Sequence, residues 1–579
     1  MKKTLSITLS LLLLATVLVS CGGKEEAAAP AESKPVATTT TTTTTPAETT
    51  PAETKAEEPK AEPQQAEAVV TDEGVKFVIS NSAEPQSLDP AKVQGVPEHR
   101  ILMALFEGLT SIDPKTADPV PGLAESWEAN EDGTQYTFHL RHATWSDGVP
   151  ITAQDVVWSW LRELDPATAA PYAWFPCMFL KGAQEYNDGT GTAADVGIRA
   201  LDDYTFQMDL IGPLPYAIGA LEHYSFAVVP KHAIEKYGDQ WTQPENFVGN
   251  GPFVLKERIP QSKIVCVPNP NYWDADTVKI DTLEYLASDD DNTNYNMYLD
   301  GQIDWLTNVP TDKLSSASMR DDYKASPQLA TYYYVFQTQK APLDNVNLRK
   351  AISYAIDREA LVEGVTKAGQ IPAWGIVPPM AGYEALEFPE EITIDGTTYD
   401  NREDAARAYL AKAGYPNGIG CPTLEILYNT SEGHKQIAEF IQQELKNKLN
   451  VNVELVNKEW GTYLTDRNAG NFEISRAGWV GDYQDPNTFL DMFLPGSAMN
   501  GGKYANEDYA LFVKEAATIS DPVERLGVLR TAEDIMVNED AAIMPLYYYV
   551  TLNMIDTSVW GGWYTNTMDY HPPKTIFKK

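Results

Sequence analysis

The chain contains little cysteine, with four residues in 579. Cys21 lies near the N-terminus, and Cys177, Cys266 and Cys421 are widely separated without Cys-x-x-Cys spacing. Three distant cysteines allow at most one disulfide and form no zinc motif, so packing must supply most of the stability. The seven histidines show no paired metal-ligand spacing. We therefore predict neither a metal nor a cofactor.

Positive charge is also scarce. Lys and Arg total 44 against 82 Asp and Glu, which gives a formal net charge of −38. This balance argues against nucleic-acid or acidic partners and is compatible with a soluble extracytoplasmic protein. Catalytic signatures are absent as well, since the chain has no Gly-x-Ser-x-Gly, no His-Glu-x-x-His and no Walker loop. We predict a protein that is not an enzyme.

The N-terminus has the pattern of an export signal over residues 1–20. Lys2 and Lys3 precede an apolar core, Leu9 to Val19, that is too short to span a bilayer. This core runs into Leu-Val-Ser-Cys21, which resembles the lipobox of bacterial lipoproteins. The resemblance implies cleavage before Cys21 and attachment of diacylglycerol to its thiol. The alternative is an ordinary cleaved signal that contains a cysteine.

Residues 21–74 contain no Trp, Tyr or Phe and include a run of threonines, Thr38 to Thr45. Such a segment cannot bury enough apolar surface to offset the cost of ordering it, so we predict a disordered tether. The chain from Val75 onward is rich in aromatic residues and about 500 residues long. That length exceeds what one hydrophobic core usually serves, and two or three domains are expected.

Alternating patterns predict strands in the first half, over residues 77–80, 135–141 and 204–210. A helix is predicted to begin at Thr152, because Thr-Ala-Gln-Asp155 supplies a cap and an acidic first turn. In the second half, helical spacing predicts helices over 346–364, 403–413 and 434–449, and a strand follows at 451–456. Gly364 is a plausible stop for the first of these helices. Strand, helix and strand at this spacing indicate an α/β unit.

The most informative segment is Arg476-Ala-Gly-Trp-Val-Gly-Asp482 and its continuation to Asn487. It places a permanent cation six residues before an anion, roughly 20 Å apart if the segment is fully extended. A bend at Gly478 or Gly481 shortens that separation towards the length of a short peptide. Separated charges of opposite sign suit a free zwitterion. The alternative is an exposed strand end whose charges are solvated.

Several dispersed segments together resemble the periplasmic oligopeptide-binding proteins of ABC transporters (the OppA-like, family 5 extracellular solute-binding proteins). The resemblance covers about Val75 to the C-terminus in unchanged order. Any one of the motifs is weak, and their combination is specific. They are Glu84-Pro-Gln-Ser-Leu-Asp-Pro90, Phe106-Glu-Gly-Leu109, Leu123-Ala-Glu-Ser-Trp127, Phe138 to Gly148, Asn250-Gly-Pro-Phe253, Leu427-Tyr-Asn-Thr-Ser431, Arg476-Ala-Gly-Trp479, Ser497-Ala-Met-Asn500 and Pro545-Leu-Tyr-Tyr-Tyr549.

The resemblance implies an α/β fold of the three-lobed periplasmic-binding-protein type (class II, large peptide-binding form), with a hinge between lobes I and III. Chain crossings at that hinge are expected near Tyr332 and Val550. Lobe I is assembled from three pieces, lobe II is an insertion, and lobe III is continuous. The implied boundaries are 75–106, 231–332 and 551–579 for lobe I, 107–230 for lobe II and 333–550 for lobe III.

The resemblance also implies roles for site residues. Asp482 would accept the α-ammonium of a peptide, and Arg476 and His434 would meet its carboxylate. Lys367 lies one position past a family lysine with a similar role, and this chain has Thr366 at the position of that lysine. Val96 and Gly478 would lie on strand edges that bond the ligand backbone. The remaining predicted ligand-contacting residues are Gln94, Tyr172, Tyr333, Asn429, Trp460, Arg467, Trp479, Val480 and Tyr549.

The chain departs from the family pattern at three places. Gln94 stands where a glutamate is common, and Met103 replaces a positively charged residue. The disulfide of enteric members would join positions that are Ala330 and Val480 here. Neutral Gln94 makes the amine end of the site less negative, which predicts a specificity that differs from those members.

We therefore expect a lipid-anchored, monomeric binding protein of the cell envelope. It would capture peptides of about two to five residues with little side-chain selectivity and deliver them to a permease powered by ATPase subunits. One alternative is a binding protein of the same fold that takes a cell-wall (murein) peptide or another non-peptide solute. A second is a secreted hydrolase that uses paired carboxylates, for which Asp482 with Asp485, or residues 289–291, are the candidates.

Overall fold

A computed structural model describes residues 74–579 of the chain, and a long mixed sheet runs through them. The sheet has 11 strands. They are β1 (Lys76–Ser80), β8 (Phe253–Ile259), β9 (Lys263–Pro268), β10 (Thr282–Leu286), β11 (Trp305–Leu306), β12 (Tyr323–Phe336), β13 (Ile371–Pro372), β16 (Leu424–Asn429), β17 (Val453–Lys458), β18 (Ile474–Val480) and β19 (Ile543–Ile555).

The strands follow the order β17-β16-β18-β12-β19-β11-β1-β10-β9-β8, and β13 pairs with β19. The two long strands β12 and β19 therefore join the two halves of the sheet. Their antiparallel register shifts between Pro327 and Thr331, and again between Tyr332 and Tyr333. Such irregularities bend the strands that carry them. The predicted crossings near Tyr332 and Val550 lie beside these shifts, while the lobe boundaries themselves stay predictions.

Among residues 74–579, four smaller sheets lie outside the long one. The predicted strands over residues 135–141 and 204–210 are confirmed as β5 (Gln135–Leu140) and β7 (Thr205–Asp209). They lie at the centre of a four-stranded sheet, between β4 (Ala124–Ala129) and β6 (Ile198–Asp202). The strands of these sheets are β2 (Thr110–Ile112), β3 (Pro119–Pro121), β4 (Ala124–Ala129), β5 (Gln135–Leu140), β6 (Ile198–Asp202), β7 (Thr205–Asp209), β14 (Ile392–Ile394), β15 (Thr397–Tyr399), β20 (Trp560–Gly561) and β21 (Phe577–Lys578).

The helices of residues 74–579 pack against these sheets. They are α1 (Val96–Leu105), α2 (Ala153–Leu164), α3 (Trp174–Cys177), α4 (Ala183–Asn187), α5 (Ala217–Ala220), α6 (Lys231–Tyr237), α7 (Asp291–Leu299), α8 (Leu314–Ala317), α9 (Val346–Ala355), α10 (Arg358–Leu361), α11 (Arg402–Lys412), α12 (Glu432–Glu444), α13 (Trp460–Ala469), α14 (Glu507–Ala516) and α15 (Pro522–Asp534).

Helix α2 begins where the sequence predicts. Thr152 and Asp155 form a capping box, in which the backbone N–H of Thr152 donates to Asp155 Oδ2 at 2.8 Å. Helix α11 ends as predicted before Gly414, whose φ of 98° requires glycine. The predicted α/β unit is confirmed, since β16 and β17 are parallel neighbours connected by α12.

The prediction of one helix over residues 346–364 is wrong. Helix α9 stops at Ala355, because Ile356 adopts an extended conformation with φ −80° and ψ 123°. Asp357 then caps a new helix, α10, by accepting from the backbone N–H of Ala360 at 3.0 Å. Gly364 is not a stop, since it lies inside a wider helical turn that continues to Thr366. Hydrophobic spacing is preserved across the break, which is why the sequence pattern conceals it.

The helices of the second half cover one face of the sheet. Ile352 of α9, Ala405 of α11 and Ile426 of β16 belong to one buried cluster that also contains Tyr332 and Tyr334 of β12. The cluster fixes the position of β12 and of the strand beside it, β18. These two strands carry much of the candidate site.

Cys177, Cys266 and Cys421 are free thiols in the structure. Ala330 and Val480 lie directly opposite each other in the β12–β18 ladder. The two positions that the family resemblance assigned to a disulfide are thus neighbours here without a covalent link. Packing and backbone hydrogen bonds alone join these strands.

The predicted signal (residues 1–20), the lipidated Cys21 and the tether up to residue 73 lie outside the described residues. Within residues 74–579, no helix is both long enough and apolar enough to cross a membrane.

Candidate functional site

A cavity of about 400 Å³ lies against β18, the first turns of α1 and α12, and helix α13. All but one of the residues predicted to contact a ligand line it. They are Gln94, Val96, Tyr172, Asn429, His434, Trp460, Arg467, Arg476, Gly478, Trp479, Val480, Asp482 and Tyr549.

Tyr333 is the exception, since it does not line the cavity. Side chains alternate between the two faces of a strand, so Tyr333 points away from its neighbours Tyr332 and Tyr334. It is 1% exposed, and its hydroxyl lies 3.9 Å from the sulfur of Met492. It belongs to the hydrophobic core rather than to the cavity.

Val96 lines the cavity, but its predicted place on a strand edge is wrong. It is the first residue of α1, and Pro97 follows it in the first helical turn. Proline is favoured there because the backbone N–H groups of a first turn lack partners within the helix. Beside it, Gln94 Oε1 accepts from Asn468 Nδ2 at 2.7 Å, which connects this segment to α13.

Asp482 forms the anionic end of the cavity. It follows β18, and its backbone N–H donates to the Thr488 hydroxyl at 2.9 Å. The side chain is buried, and Oδ2 has no hydrogen-bond partner among the described residues. Burial raises the pKa of Asp482 well above its ordinary value, and the nearby carboxylates Asp491 and Glu222 raise it further. A cationic group that enters the cavity would relieve this unfavourable position of the carboxylate.

Arg476 forms the cationic end. Its guanidinium donates to the Tyr549 hydroxyl at 2.9 Å and to Asn429 Oδ1 at 3.3 Å, and it lies 4.8 Å from the centre of the Tyr332 ring. The Nε–H has no partner among the described residues. These contacts are all with neutral groups. Because arginine stays charged in proteins, Arg476 holds a buried positive charge that no neighbouring carboxylate compensates.

His434 lies beside Arg476 at the start of α12. Its Nδ1 is 3.3 Å from the Tyr332 hydroxyl. Burial, together with the charge of Arg476, lowers the pKa of His434 well below its ordinary value. The imidazole is therefore neutral near pH 7 and contributes hydrogen bonding rather than charge.

One edge of β18 is open towards the cavity. Its neighbour β16 pairs only with Ile474 and Ser475, while β12 covers the other edge along its whole length. The Arg476 carbonyl accepts from the Tyr463 hydroxyl and so points away from β12. Because backbone groups alternate along a strand, those of Gly478 and Val480 point to the same open edge. An extended chain placed there can pair with β18 through main-chain hydrogen bonds.

Gly478 leaves room for the cationic end. A Cβ at this position would lie 2.6 Å from the Tyr549 hydroxyl oxygen and 3.1 Å from Arg476 Nη2. Glycine is thus required by space, not by an unusual backbone angle. The same contact places the guanidinium over Gly478, so the positive charge lies two residues closer to Asp482 than the sequence position of Arg476 suggests.

Aromatic side chains form the walls. Trp479 stacks on Tyr172 with ring centres 6.4 Å apart and planes inclined by 5°. Trp460 Nε1 donates to Glu98 Oε1 at 3.4 Å and connects α13 to α1. Burial raises the pKa of Glu98. Arg467, on α13, is a second buried arginine that lines the cavity.

Several lining residues were missed by the sequence reasoning: His99, Arg100, His223, Tyr224, Asp569 and Tyr570. They come from α1, from the turn before Tyr224–Phe226 and from the C-terminal segment. No local motif marks them, because they reach the cavity only through long-range packing.

Asp482 and Asp485, the first carboxylate pair considered for hydrolysis, do not share the cavity. Asp485 makes two hydrogen bonds to Arg525, at 2.8 and 2.7 Å, and does not line the cavity. Asp289 and Asp291 do line it, and burial raises the pKa of Asp291 to about 6. Asp291 Oδ2 accepts from Asn308. Among residues 74–579, no group of three or more metal-ligating side chains is assembled.

Comparisons with known proteins show which family and fold the chain resembles. Residues 118–501 match the model of the bacterial extracellular solute-binding proteins, family 5. The chain is 39% identical over 502 residues to the periplasmic oligopeptide-binding protein OppA of Escherichia coli K12, and the match covers 86% of this chain and 91% of that protein.

Solved structures are similar over most of the chain. The oligopeptide-binding protein OppAIV from Borrelia burgdorferi is 37% identical and superposes with a TM-score of 0.83, over 87% of this chain and 100% of that one. The murein tripeptide-binding protein MppA of Escherichia coli is 36% identical in two structures. One has a TM-score of 0.83 and covers 87% of this chain and 99% of that one. The other, described as an unliganded open form, has a TM-score of 0.59 and covers 87% and 98%.

Proposed function

Because the chain belongs to the bacterial extracellular solute-binding proteins of family 5, we propose that it binds short peptides outside the cytoplasm and delivers them to an ABC transporter. The family consists of binding proteins rather than enzymes. Two expectations from the sequence are confirmed: membership of this family, which the dispersed motifs indicated, and the mixed α/β fold that its members share.

One observation carries the peptide proposal. Asp482 and Arg476 are buried groups of opposite charge that line one cavity, and among the described residues neither has a charged partner that offsets it. The open edge of β18 runs between them. A free peptide supplies an ammonium at one end, an extended backbone in the middle and a carboxylate at the other end, and therefore complements all three features.

The distance between the two charges limits the length of a peptide that can contact both. Gly478, which marks the Arg476 guanidinium, is four residues from Asp482, or at most about 13 Å. Two charge-assisted hydrogen bonds of about 2.8 Å leave about 7 to 8 Å between the ligand's ammonium and carboxylate. An extended dipeptide spans about 6 Å and a tripeptide about 9 Å. The available span lies between these two lengths, so peptides of two or three residues match both charges most nearly, and longer ones need another partner for the carboxylate.

Lobe closure accompanies binding in this proposal. The two MppA structures have the same identity to this chain but different TM-scores, so the arrangement described here differs from the open form. Contacts across the cavity support a closed arrangement. Asn468 donates to Gln94, Trp460 to Glu98, and the Thr311 hydroxyl to Gln436 Oε1 at 2.7 Å. The irregular pairing of β12 with β19 provides a bend at which the lobes can move.

The rest of the proposal concerns the cell envelope. The lipobox-like sequence before Cys21 supports a lipid anchor, and residues 22–73 would hold the binding domain away from the membrane. The closed protein would act as a monomer and dock on a permease driven by ATPase subunits. Side chains of the peptide would lie in hydrated aromatic pockets, where water adapts to different sequences.

Calorimetry with three forms of trialanine tests the peptide proposal. Wild-type protein is expected to bind trialanine tightly and to lose affinity for N-acetyltrialanine and for trialaninamide. Asp482→Asn should weaken trialanine but not the acetylated form, and Arg476→Gln should weaken trialanine but not the amide. Equal binding of all three forms by the wild type would refute the proposal that the cavity recognises the free ammonium and the free carboxylate of a peptide.

A cell-wall peptide is the second candidate, favoured by Arg467. This second buried guanidinium lines the cavity, whereas trialanine has only one carboxylate. Murein tripeptide carries additional carboxylates that suit a second cation. If it is the ligand, it should outcompete trialanine in wild-type protein and lose this advantage in Arg467→Gln. Equal loss for both ligands would favour general peptide binding.

A further inference from the structure

His223 lies at the anionic end of the cavity and is 2% exposed. Its ring centre is 3.9 Å from that of Tyr224, 4.7 Å from that of Tyr172 and 4.8 Å from that of Phe175. Three aromatic rings therefore restrict its rotation. A histidine held this way presents its two nitrogens in fixed directions.

The hydrogen bonds of His223 determine where its proton is. The backbone N–H of Ser225 donates to Nδ1 at 3.3 Å, and the Ser225 hydroxyl lies 3.0 Å from the same nitrogen. Nδ1 is thus an acceptor without a proton, and the proton resides on Nε2. Burial also lowers the pKa of His223 well below its ordinary value, and His99 lowers it further. The ring is a neutral donor near pH 7.

That donor faces the anchor carboxylate. Nε2 lies 3.5 Å from Asp482 Oδ1, while Asp482 Oδ2 has no partner among the described residues. The contact is long for a hydrogen bond, but both groups are buried, so the N–H dipole acts in a medium of low dielectric. A neutral donor fixes one oxygen of the carboxylate without cancelling its charge, whereas a buried cation would compete with the ligand.

We infer that His223 is a positioning residue of the ammonium site: its Nε2–H fixes Asp482 Oδ1, and the ligand's ammonium binds Oδ2. This inference rests on the proposed role of Asp482 as the partner of the peptide's ammonium. It adds that selectivity for a free amino terminus depends on a side chain distant in sequence.

Other titratable groups also face Asp482. Asp491 and Glu222 repel its charge, and the Tyr172 hydroxyl stabilises it. Glu222 in turn lies 3.2 Å from His99 Nε2, with both side chains buried. The tests below therefore compare His223 variants with the wild type at each pH, so that these groups are common to both proteins.

The test uses two substitutions of His223 and one control. His223→Leu removes the donor, and His223→Gln retains an N–H donor. The matched control is His232→Gln, because His232 also pairs with an aspartate, Asp147 at 2.8 Å, but on the exposed surface away from the cavity. All variants are measured with trialanine and N-acetyltrialanine by calorimetry.

His223→Leu is expected to lose about tenfold in affinity for trialanine and to leave N-acetyltrialanine unchanged, as for a hydrogen bond to a charged group weakened by its length. His223→Gln should recover most of the loss, and His232→Gln should change neither affinity. Equal losses for both peptides would assign His223 to packing alone and overturn the inference. So would an unchanged affinity for trialanine.

Two further readouts separate positioning from packing. The fall in trialanine affinity at acid pH reports protonation of Asp482, and His223→Leu should move it upward by about one pH unit, because the ionised carboxylate loses a donor. Nitrogen-15 NMR of labelled histidine should show a proton on Nε2 and none on Nδ1 of His223. A proton on Nδ1 would contradict the inference, and so would a fall in trialanine affinity that occurs at the same pH in His223→Leu as in the wild type. If Asp482→Asn itself leaves trialanine binding unchanged, the proposed function fails instead.

Discussion

Replacing Gly478 by alanine tests whether the cationic end of the cavity depends on space that only glycine provides. The new Cβ would lie 2.6 Å from the Tyr549 hydroxyl oxygen, well inside contact distance, and 3.1 Å from Arg476 Nη2. The hydroxyl must move, and its 2.9 Å hydrogen bond to the guanidinium is then lost. Alanine is otherwise tolerated at an extended position, so the fold should remain intact.

The expected size of the effect follows from that hydrogen bond. A hydrogen bond to a charged group is worth about 1.5 to 3 kcal/mol. Since about 1.4 kcal/mol corresponds to tenfold in affinity, Gly478→Ala should weaken trialanine about 10- to 150-fold. Trialaninamide, which lacks the carboxylate, should be affected much less. Isothermal titration calorimetry of both ligands provides the comparison.

Two further variants test whether the Tyr549 hydroxyl causes the effect. Gly433→Ala is the matched control, because a Cβ there meets only the Ser431 hydroxyl at 3.7 Å on the same cavity wall. In a Tyr549→Phe background the obstructing hydroxyl is gone, so adding Gly478→Ala should cost much less than in the wild type. The reasoning fails if Gly478→Ala binds trialanine within twofold of the wild type, or if trialaninamide loses as much.

Three other predictions concern stability and pH. Cysteines introduced at both Ala330 and Val480 should form a disulfide and raise the free energy of unfolding by about 2–4 kcal/mol. Persistent free thiols under oxidising conditions would contradict the opposition of these two residues in the ladder. Burial raises the pKa of Glu533 from 4.5 to about 7, while the Tyr383 hydroxyl donates to its Oε2 at 2.7 Å. Between these pH values the folded state holds the extra proton, so the free energy of unfolding falls as pH rises, by about 3 kcal/mol in total; urea denaturation at pH 5 and 7.5 should show that slope reduced in Glu533→Gln. Because His434 is neutral near pH 7, the pH dependence of trialanine affinity between pH 6 and 8 should be the same in His434→Gln as in the wild type. A pH dependence that this variant abolishes would refute its neutrality.

The elements that the sequence predicted well are those whose signals are local. Thr152 and Asp155 form their capping box from a single turn of chain, and Gly414 ends α11 through its own backbone angle. The strands over residues 135–141 and 204–210 follow from alternation of their side chains. Placement of Asp482 and Arg476 on one cavity also agrees with the motif, because one strand and its following loop carry both.

Predictions failed where a family resemblance was transferred without geometry or where periodicity was ambiguous. Val96 opens a helix because Pro97 fits a first turn, although a strand edge was implied. Tyr333 is adjacent in sequence to residues near the site, but its side chain points into the hydrophobic core because side chains alternate along a strand. The break at Ile356 leaves the hydrophobic spacing intact, so periodicity conceals it, and the only local signal is Asp357, which caps the next helix.

The sequence by itself determined the family, the mixed α/β class and the two charges of the Arg476–Asp482 segment, since dispersed motifs and charge spacing are properties of the chain. Only the tertiary structure decided where those charges act. Hydrogen bonds to Tyr549 and Asn429 hold the guanidinium over Gly478. His223, which contacts Asp482, lies 259 positions earlier in the chain (482 minus 223). The physical reason is that burial, hydrogen-bond direction and electrostatic coupling depend on distance in space, which sequence separation does not specify.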